Sequence, residues 1–355
     1  MSNSLCGPNF DEMLAENRRQ TDRPLDVELA NPPLPLLVTG ITGVAGYNAL
    51  AYFQSRWPGR VFGLLPPKTK GFTAPDLVFA NPDDPKELDA VFEKHRFRAV
   101  LDCAGNCDLK GCQLDPRIGW TLNVDIVRNL AHWTRKLSIR LVHLSVDLVF
   151  GGRDGGNYVE ADPADPVTVY GQTMVEGEKG IFDEDPYAVT LRISLPMGVS
   201  FNGHAGAIDW ISSRFKKNAP ATLLYDEVRT PTYTDCLNRV CRVMLANAVS
   251  GLFHCGSPRP LSLYQIAQVI NRVGGFDADL LYGLYREEMG PIPPRAGNVS
   301  MNCGKLVQFL GYPPIDSWPS DDRFAPTTVH WHAERSETGS VSGMYGHLAW
   351  NKRRY

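Results

Sequence analysis

Three evenly spaced glycines are the residues whose type and position point most directly to ligand chemistry. Gly40, Gly43 and Gly46 follow the apolar segment Leu36–Val38 and lead into a run with helical character. Such a turn lets the chain reverse tightly, lets a pyrophosphate approach the backbone, and directs the first N–H groups of the helix at the anion. The sequence therefore predicts a dinucleotide-binding turn (the glycine turn, residues 40–46). Its expected ligand contacts are Gly40, Thr42, Gly43, Val44, Ala45 and Gly46.

The charges after the second predicted strand bear on the choice between NADP and NAD. No Asp or Glu directly follows residues 61–64, whereas Lys68 and Lys70 come shortly afterwards. A carboxylate there would favour the ribose hydroxyl of NAD, and a cation would favour the 2′-phosphate of NADP. We expect NADP as the cofactor, with Lys68 as a contact. NAD remains the alternative, because an ordinary surface loop can carry the same two lysines.

The elements that must position this turn alternate between strand and helix. Apolar segments predict strands near residues 36–38, 60–64, 99–102, 140–149 and 187–193. Helical segments are predicted near residues 47–56, 85–95, 117–137 and 170–182. Strands separated by helices favour an α/β fold with a doubly wound parallel sheet of the Rossmann type.

The pattern divides the chain into four parts. Residues 1–33 are a polar N-terminal arm, and residues 34–195 are a dinucleotide-binding Rossmann domain to which some later segments return. Residues 196–318 mainly form a smaller C-terminal substrate-binding lobe, with helices near 207–217, 234–248 and 262–273. Residues 319–355 lack periodicity and are expected to be an irregular tail, either disordered or packed on a neighbouring protein.

Composition excludes several classes of protein. A chain of 355 residues with 43% hydrophobic residues can bury a large core. The net charge of -3 gives no general attraction to nucleic acid. No apolar run reaches the roughly 18 residues that span a bilayer, and the N-terminus does not resemble a secretion signal. We expect a cytoplasmic protein with reduced thiols that binds a small molecule and neither nucleic acid nor a membrane.

Three cysteines lie close together in the sequence and raise the question of a metal site. Cys103, Cys107 and Cys112 have no second Cys/His pair at metal-binding spacing. Small hydrophobic side chains at the end of a strand are the simpler interpretation. No metal is therefore predicted.

The order of further motifs is similar to that of the extended short-chain dehydrogenase/reductases, and most closely to the dTDP-4-dehydrorhamnose reductase group. The similar segments lie between residues 34 and 318. They include residues 102–105, 122–124, 143–152, 170–171, 191–192 and 230–235. The resemblance implies a Rossmann fold and a nucleotide-sugar substrate.

The resemblance also implies catalytic residues, with two departures from the family pattern. Tyr170 matches the tyrosine that gives a proton to the substrate carbonyl as hydride arrives. The family lysine four residues later is Met174, and a family hydroxyl aligns with Val146, which leaves Ser145 as a substitute donor. Further cofactor contacts are implied at Cys103, Ala104, Gly105, Asn123, Ser145 and Tyr170. Substrate contacts are implied at Asp147, Arg192 and Arg295.

These departures leave three hypotheses about function. Without a nearby cation a phenol keeps a pKa of about 10, so oxidation should suffer more than reduction. The first hypothesis is an NAD(P)H-dependent reductase of a keto-sugar nucleotide or related carbonyl compound, with a degenerate catalytic triad. The second is a catalytically lapsed NAD(P)-binding regulatory or scaffold protein, since members of this group serve as regulatory subunits. The third is a sugar-nucleotide epimerase or lyase. The expected partners are a nucleotide sugar and either a second copy of the chain or a regulatory partner protein.

Overall fold

The computed structural model describes residues 30–105, 107–336 and 339–349. Most of the predicted N-terminal arm and the last six residues of the tail lie outside these ranges. The strands are β1 (Leu36–Val38), β2 (Val61–Leu65), β3 (Leu77–Phe79), β4 (Ala99–Asp102), β5 (Arg140–Val146), β6 (Val189–Ile193), β7 (Pro196–Met197), β8 (Ala221–Leu224), β9 (Val228–Arg229), β10 (Thr232–Tyr233), β11 (Gly251–Cys255), β12 (Leu261–Ser262) and β13 (Leu281–Leu284). The α-helices are α1 (Val44–Arg56), α2 (Pro85–His95), α3 (Leu109–Leu114), α4 (Pro116–Trp120), α5 (Ile126–Lys136), α6 (Val169–Glu184), α7 (Ala207–Lys216), α8 (Thr234–Ala246), α9 (Leu263–Gly274), α10 (Gly304–Leu310) and α11 (Val341–Leu348).

A seven-stranded sheet forms the centre of this described part of the chain. Its order is β11-β6-β5-β4-β1-β2-β3, and every pairing within it is parallel. Strands β1 to β3 are added toward one edge of the sheet, and β4, β5, β6 and β11 are added toward the other. The strand order therefore reverses between β1 and β4. Ligands of such sheets bind beyond the carboxyl ends of the strands at this point. The glycine turn and Cys103 both lie there.

Alternate residues of the strands bury opposite faces of the sheet, as a layered α/β fold requires. Leu36, Val38 and Leu101 belong to the apolar core that includes residues of α1 and α8. Leu37 and Val100 point to the other face and join the core with residues of α2 and α5. The prediction of a doubly wound Rossmann-type fold is therefore confirmed.

The boundaries of two predicted elements need correction. The single helix expected near 117–137 consists of α4, a π-helical turn at Thr121–Asp125, and α5. The strand expected near 140–149 ends at Val146, and Asp147–Val149 form a 3₁₀ turn. Both irregular turns carry residues of the predicted site, Asn123 and Asp147. Periodicity alone does not reveal such single-turn changes.

Short strand pairs and helices follow β6 in the part of the chain predicted to form the smaller lobe. Strands β8 and β13 pair in parallel, and β9 and β12 pair antiparallel. The tail predicted to be irregular contains α11, which packs on α9. Trp318 is fully buried and its Nε1 donates to the carbonyl oxygen of Leu348 at 2.8 Å. Trp318, directly before the predicted tail, is thus bonded to α11 within the same chain.

Candidate active site

The three glycines of the glycine turn have different structural roles. Gly40 adopts φ +61°, and a Cβ there would lie 2.1 Å from the carbonyl oxygen of Cys103. A Cβ on Gly46 would lie 2.3 Å from the carbonyl oxygen of Gly40. Gly43 is exposed at φ −83°, and its Cβ would meet that same oxygen at 3.4 Å, an ordinary contact. The first and third glycines are therefore required by packing, whereas the second leaves the backbone open to a ligand.

The N-terminus of α1 is open to an anion as well. Among the described residues, no side chain caps α1, and its first turn contains no acidic residue. Free N–H groups and the helix dipole at such an end attract negative charge. Thr42 and Ala45 are partly exposed beside Gly43, whereas Val44 is buried. This arrangement suits the pyrophosphate of a dinucleotide.

Asp102 ties the glycine turn to the next predicted cofactor segment. It is 1% exposed at the end of β4 and accepts hydrogen bonds from the Thr39 hydroxyl and from the Ala104 N–H at 3.1 Å. His143 Nδ1 lies 2.7 Å from its second oxygen. One carboxylate thereby joins the carboxyl ends of β1 and β4 to the middle of β5. The structure thus fixes residues 103–105 next to Gly40, as their shared role as cofactor contacts would require.

Asn123 connects the same region to the helix that carries Tyr170. Its Oδ1 lies 3.5 Å from the place of a Cβ on Gly105, and its Nδ2 donates to Thr173 Oγ1 at 2.9 Å. The Thr173 hydroxyl in turn donates to the Tyr170 carbonyl oxygen at 2.8 Å. The predicted residues Gly105, Asn123 and Tyr170 are therefore brought together. Lys68 lies exposed in the loop after β2.

Tyr170 lies in the first turn of α6, in an apolar environment. Thr168 caps the helix by accepting the Gly171 N–H at 3.0 Å. Tyr170 is 5% exposed and Met174 3% exposed, and both belong to a buried cluster with Cys112. Burial raises the pKa of the Tyr170 phenol well above its usual value. Cys107 and Asp147 raise this pKa further, and Arg229 acts in the opposite direction.

The missing lysine has no substitute on α6. Lys179 is half exposed, and its Nζ binds Glu176 Oε1 at 2.6 Å. Met174 is one helical turn beyond Tyr170, and its thioether carries no proton and no charge. The phenol therefore remains protonated at neutral pH and can donate a proton but is a poor base.

Ser145 and Arg192 belong to a buried polar network. The Ser145 hydroxyl donates to Glu178 Oε1 at 2.5 Å. Arg192 donates to the same carboxylate through Nε at 2.9 Å and Nη2 at 2.7 Å. The single hydroxyl proton of Ser145 is thus used by Glu178, and the guanidinium of Arg192 faces α6. As placed, neither group presents these donors to a ligand.

Asp147 is enclosed by a second network that reaches toward the surface. Its carboxylate binds Arg229 Nε at 2.7 Å and Nη2 at 2.5 Å and accepts from the Ser194 hydroxyl. Arg229 Nη1 also lies 3.4 Å from Glu227, whose other oxygen is 3.7 Å from Arg295 Nη1. Burial raises the pKa of the Glu227 carboxyl, although Arg229 and Arg295 act in the opposite direction. Arg295 has a side chain that is 29% exposed, so of the three predicted substrate contacts it is the one able to meet a ligand.

The pair formed by Arg192 and Glu178 predicts a large stability effect that needs no ligand. Arg192→Met should lower the free energy of unfolding by about 3–5 kcal/mol, because Glu178 would be left buried without its partner. Urea unfolding of the ligand-free protein measures this loss. Arg117→Met is the control, because its ion pair with Asp115 lies at the surface, and it should leave stability nearly unchanged. An unchanged unfolding midpoint for Arg192→Met, together with weaker substrate binding, would instead assign Arg192 to the ligand.

The predicted cysteines do not converge on a metal. Cys103 is half-buried, Cys107 is exposed and Cys112 is buried, and all three are free thiols. Within the described ranges no group of three or more His, Cys, Asp or Glu is arranged to hold a metal ion. In the same ranges no helix is both long and apolar enough to cross a membrane.

Sequence reasoning missed the partners that organise these networks. No role is assigned to Glu178, Arg229 or Glu227 from the sequence. A usable signal was present, since Arg192 and His143 are polar residues inside mostly apolar strands. A charge in such a strand requires a buried partner. The partner's identity depends on tertiary contacts that no local pattern encodes.

A comparison with known families decides the classification. The RmlD substrate binding domain family matches residues 35–321. The chain belongs to this family. The match includes the glycine turn, Tyr170 and Arg295, and it ends before α11.

Individual relatives have different assigned roles. The probable low-salt glycan biosynthesis reductase Agl14 of Haloferax volcanii is 27% identical over 69% of this chain and 81% of its own length. Methionine adenosyltransferase 2 subunit beta of Danio rerio is 25% identical over 80% of this chain and 87% of its own length. The sequence relatives therefore include both a probable reductase and a subunit of another enzyme.

Solved structures share the fold. The dTDP-4-dehydrorhamnose reductase of Bacillus anthracis in complex with NADP superimposes with a TM-score of 0.69 at 17% identity, covering 80% of this chain and 95% of that one. The UDP-glucose 4-epimerase of Thermus thermophilus in complex with NAD gives a TM-score of 0.70 at 18% identity, covering 84% of this chain and 99% of that one. At these identities the likeness concerns the fold.

Proposed function

We propose that this protein binds a nicotinamide dinucleotide at the glycine turn and reduces a carbonyl group of a nucleotide sugar or a related compound. The observation that carries this proposal is the exposed backbone at Gly43 beside an uncapped helix N-terminus, with Gly40 and Gly46 packed tightly behind it. Family membership supports it. Relatives of the same fold were solved with NADP and with NAD. We favour NADP because Lys68 is exposed beyond β2.

The state of Tyr170 favours reduction over oxidation. A bound reduced nicotinamide supplies the hydride, and the Tyr170 hydroxyl would give its proton to the carbonyl oxygen. The raised pKa of this phenol keeps the proton in place at neutral pH. Epimerases and lyases that begin by oxidising the sugar need a base at this point, so a protonated phenol argues against them.

Two missing groups predict slow turnover. Met174 cannot stabilise the phenolate that forms when the proton leaves, and Val146 has no hydroxyl to donate to the carbonyl oxygen. Each loss costs on the order of 10²–10³ in rate. The Arg229 guanidinium lowers the pKa of Tyr170, but it is bound to the carboxylate of Asp147.

The direct test combines binding and turnover. We expect NADPH to raise the melting temperature of the purified protein, and we expect slow NADPH oxidation with a 4-keto nucleotide sugar. Product analysis should show a new secondary alcohol. If neither NADPH nor NADH stabilises the protein, the proposal is wrong. If they stabilise it but no carbonyl compound in a panel of keto-sugar nucleotides is reduced, the second candidate is favoured.

The second candidate is a dinucleotide-binding regulatory subunit without turnover. The specific observation in its favour is that Met174 fills the expected lysine position inside a packed cluster while Ser145 is bound to Glu178. The similarity to a methionine adenosyltransferase subunit is consistent with such a role. A stable protein complex in a pull-down, enhanced by the dinucleotide, would support it.

Restoring the lysine separates the two candidates. Met174→Lys should raise the rate of carbonyl reduction at least about tenfold if loss of the amine limits a working reductase. Met174→Leu is the matched control, since it conserves volume and adds no charge. Because position 174 is only 3% exposed, melting curves with and without NADPH must show that the lysine variant is folded. A folded variant with no gain in rate would contradict the idea of a merely degenerate active site.

A further inference from the structure

We propose that helix α11, in the C-terminal tail, holds residues 199–206 (the flanking segment) against the glycine turn and thereby strengthens dinucleotide binding. This inference rests on the proposed function for its effect on affinity. The contact between tail and segment is made through one buried carboxylate, Asp209, in the first turn of α7. Helix α11 lies beyond residue 321, where the match to the family ends.

Asp209 uses its two oxygens for two different parts of the chain. It is 2% exposed. Oδ1 accepts a hydrogen bond from the Tyr345 hydroxyl at 2.5 Å, and Oδ2 accepts one from the Ser200 hydroxyl at 2.6 Å. Burial and the bond to Asp209 raise the pKa of the Tyr345 phenol to about 12, so it remains a donor. Hydrogen bonds to a carboxylate are among the stronger ones in proteins, and these two join α11 to the flanking segment.

The flanking segment in turn lies directly on the first turns of α1. Asn48 Nδ2 donates to the Val199 carbonyl oxygen at 2.8 Å. Gly206 adopts φ +87°, and a Cβ there would lie 2.7 Å from Val44 Cγ2. Val44 is the first residue of α1 and follows the exposed Gly43. A shift of this segment would therefore move the N-terminus of α1, where the pyrophosphate is expected to bind.

Aromatic packing adds a second connection between the segment and the dinucleotide domain. The ring of Phe201 lies 5.3 Å from Phe72 and 6.4 Å from Tyr47, measured between centroids. Tyr47 belongs to α1, and Phe72 follows the loop after β2 that carries Lys68. The flanking segment thus contacts α1 and the loop that carries Lys68, two of the regions expected to contact the dinucleotide.

Helix α11 has anchors that do not involve Tyr345. Its carbonyl oxygens at Leu348 and His347 accept hydrogen bonds from Trp318 Nε1 at 2.8 Å and from the Tyr233 hydroxyl at 3.2 Å. Met344 and Leu348 are fully buried. Removing only the Tyr345 hydroxyl should therefore leave α11 docked and break the connection to Asp209 alone.

The test compares Tyr345→Phe, Ser200→Ala and the double variant with the wild type in the full-length protein. Each single variant should weaken NADPH binding about three- to ten-fold, the range expected from losing one hydrogen bond. The double variant should be little worse than either, because both changes break the same connection. Amide hydrogen exchange in residues 199–206 should become faster in each variant. Tyr282→Phe is the control, since Tyr282 is 54% exposed on β13.

The possible results lead to different conclusions. Unchanged hydrogen exchange in residues 199–206 of Tyr345→Phe would overturn the inference, and so would faster exchange with unchanged NADPH affinity. Additive losses in the double variant would also overturn it, because Tyr345 would then act by another route. If the wild type binds no pyridine nucleotide, the proposed function fails and the effect on affinity fails with it. Hydrogen exchange would still decide whether Tyr345 holds the segment.

Discussion

Replacing Tyr170 with phenylalanine is expected to lower the rate of carbonyl reduction by about 10²–10³-fold, since the carbonyl oxygen loses its proton donor. NADPH affinity should be nearly unchanged, because the ring keeps its place in the cluster with Cys112 and Met174. Single-turnover NADPH oxidation measures the step, and a thermal shift measures binding. In the wild type, the raised pKa of Tyr170 means that its ionisation removes no acid between about pH 7 and about pH 9. The reduction rate should therefore not fall through this group in that range.

A buried tyrosine of the same cluster supplies the control. Tyr158 is also 5% exposed, and its ring stacks on Phe150 with centroids 4.1 Å apart. Tyr158→Phe removes a hydroxyl from the same region without touching the proposed proton donor and should retain most of the activity. If Tyr170→Phe reduces the substrate at the wild-type rate, Tyr170 is not the proton donor. Equal losses in both variants would indicate a packing effect.

Alanine substitutions in the glycine turn should separate folding from ligand binding. At Gly40 an alanine would have to adopt φ +61° with its Cβ 2.1 Å from the Cys103 carbonyl oxygen. We expect Gly40→Ala to lower the free energy of unfolding by about 3 kcal/mol or more, with loss of NADPH binding. Gly43→Ala should leave stability nearly unchanged, since the new Cβ makes only a 3.4 Å contact with Gly40. It should still weaken NADPH binding at least about tenfold, because the methyl group occupies the path of the pyrophosphate.

Urea unfolding without ligand, followed by titration with NADPH, distinguishes these effects. Strong destabilisation by Gly43→Ala would mean that Gly43 is packed against other residues in solution. Full NADPH affinity in a folded Gly43→Ala variant would show that the dinucleotide does not approach this turn. The second result would contradict the proposed function at its first step.

The fold could be predicted from sequence because its decisive signals are local. Leu36–Val38 and Ala99–Asp102 are apolar segments bounded by polar or glycine-rich turns, and α2 matches its predicted range of Pro85–His95. These predictions rest on apolar residues that follow one another in the sequence, so they do not require knowing which distant residues pack against them. The π-helical turn at Thr121–Asp125 was missed because it adds no break in composition. Helix α11 was missed because its sequence contains two glycines and a serine, and its stability comes from packing on α9.

The candidate site could be predicted only in part, for a related reason. The glycine turn is contiguous in sequence, so the spacing of its residues can be recognised without a structure. Ser145 and Arg192, in contrast, were expected to face ligands, and the structure turns both toward Glu178. A side chain at the end of a strand faces either the ligand or the neighbouring helix, and only the three-dimensional position of Glu178 determines which. Asp147 and its partner Arg229 illustrate the same dependence on distant residues.

The position of α11 after the strands of the central sheet in the sequence has a consequence for biosynthesis. The last strand of the central sheet, β11, ends at Cys255, whereas Tyr345 is synthesised much later. Domains form from the N-terminus onward during translation. The nascent polypeptide can therefore assemble its whole sheet on the ribosome while residues 199–206 still lack their hold on Asp209. The dinucleotide affinity that we propose would then be complete only after α11 has been synthesised and has docked.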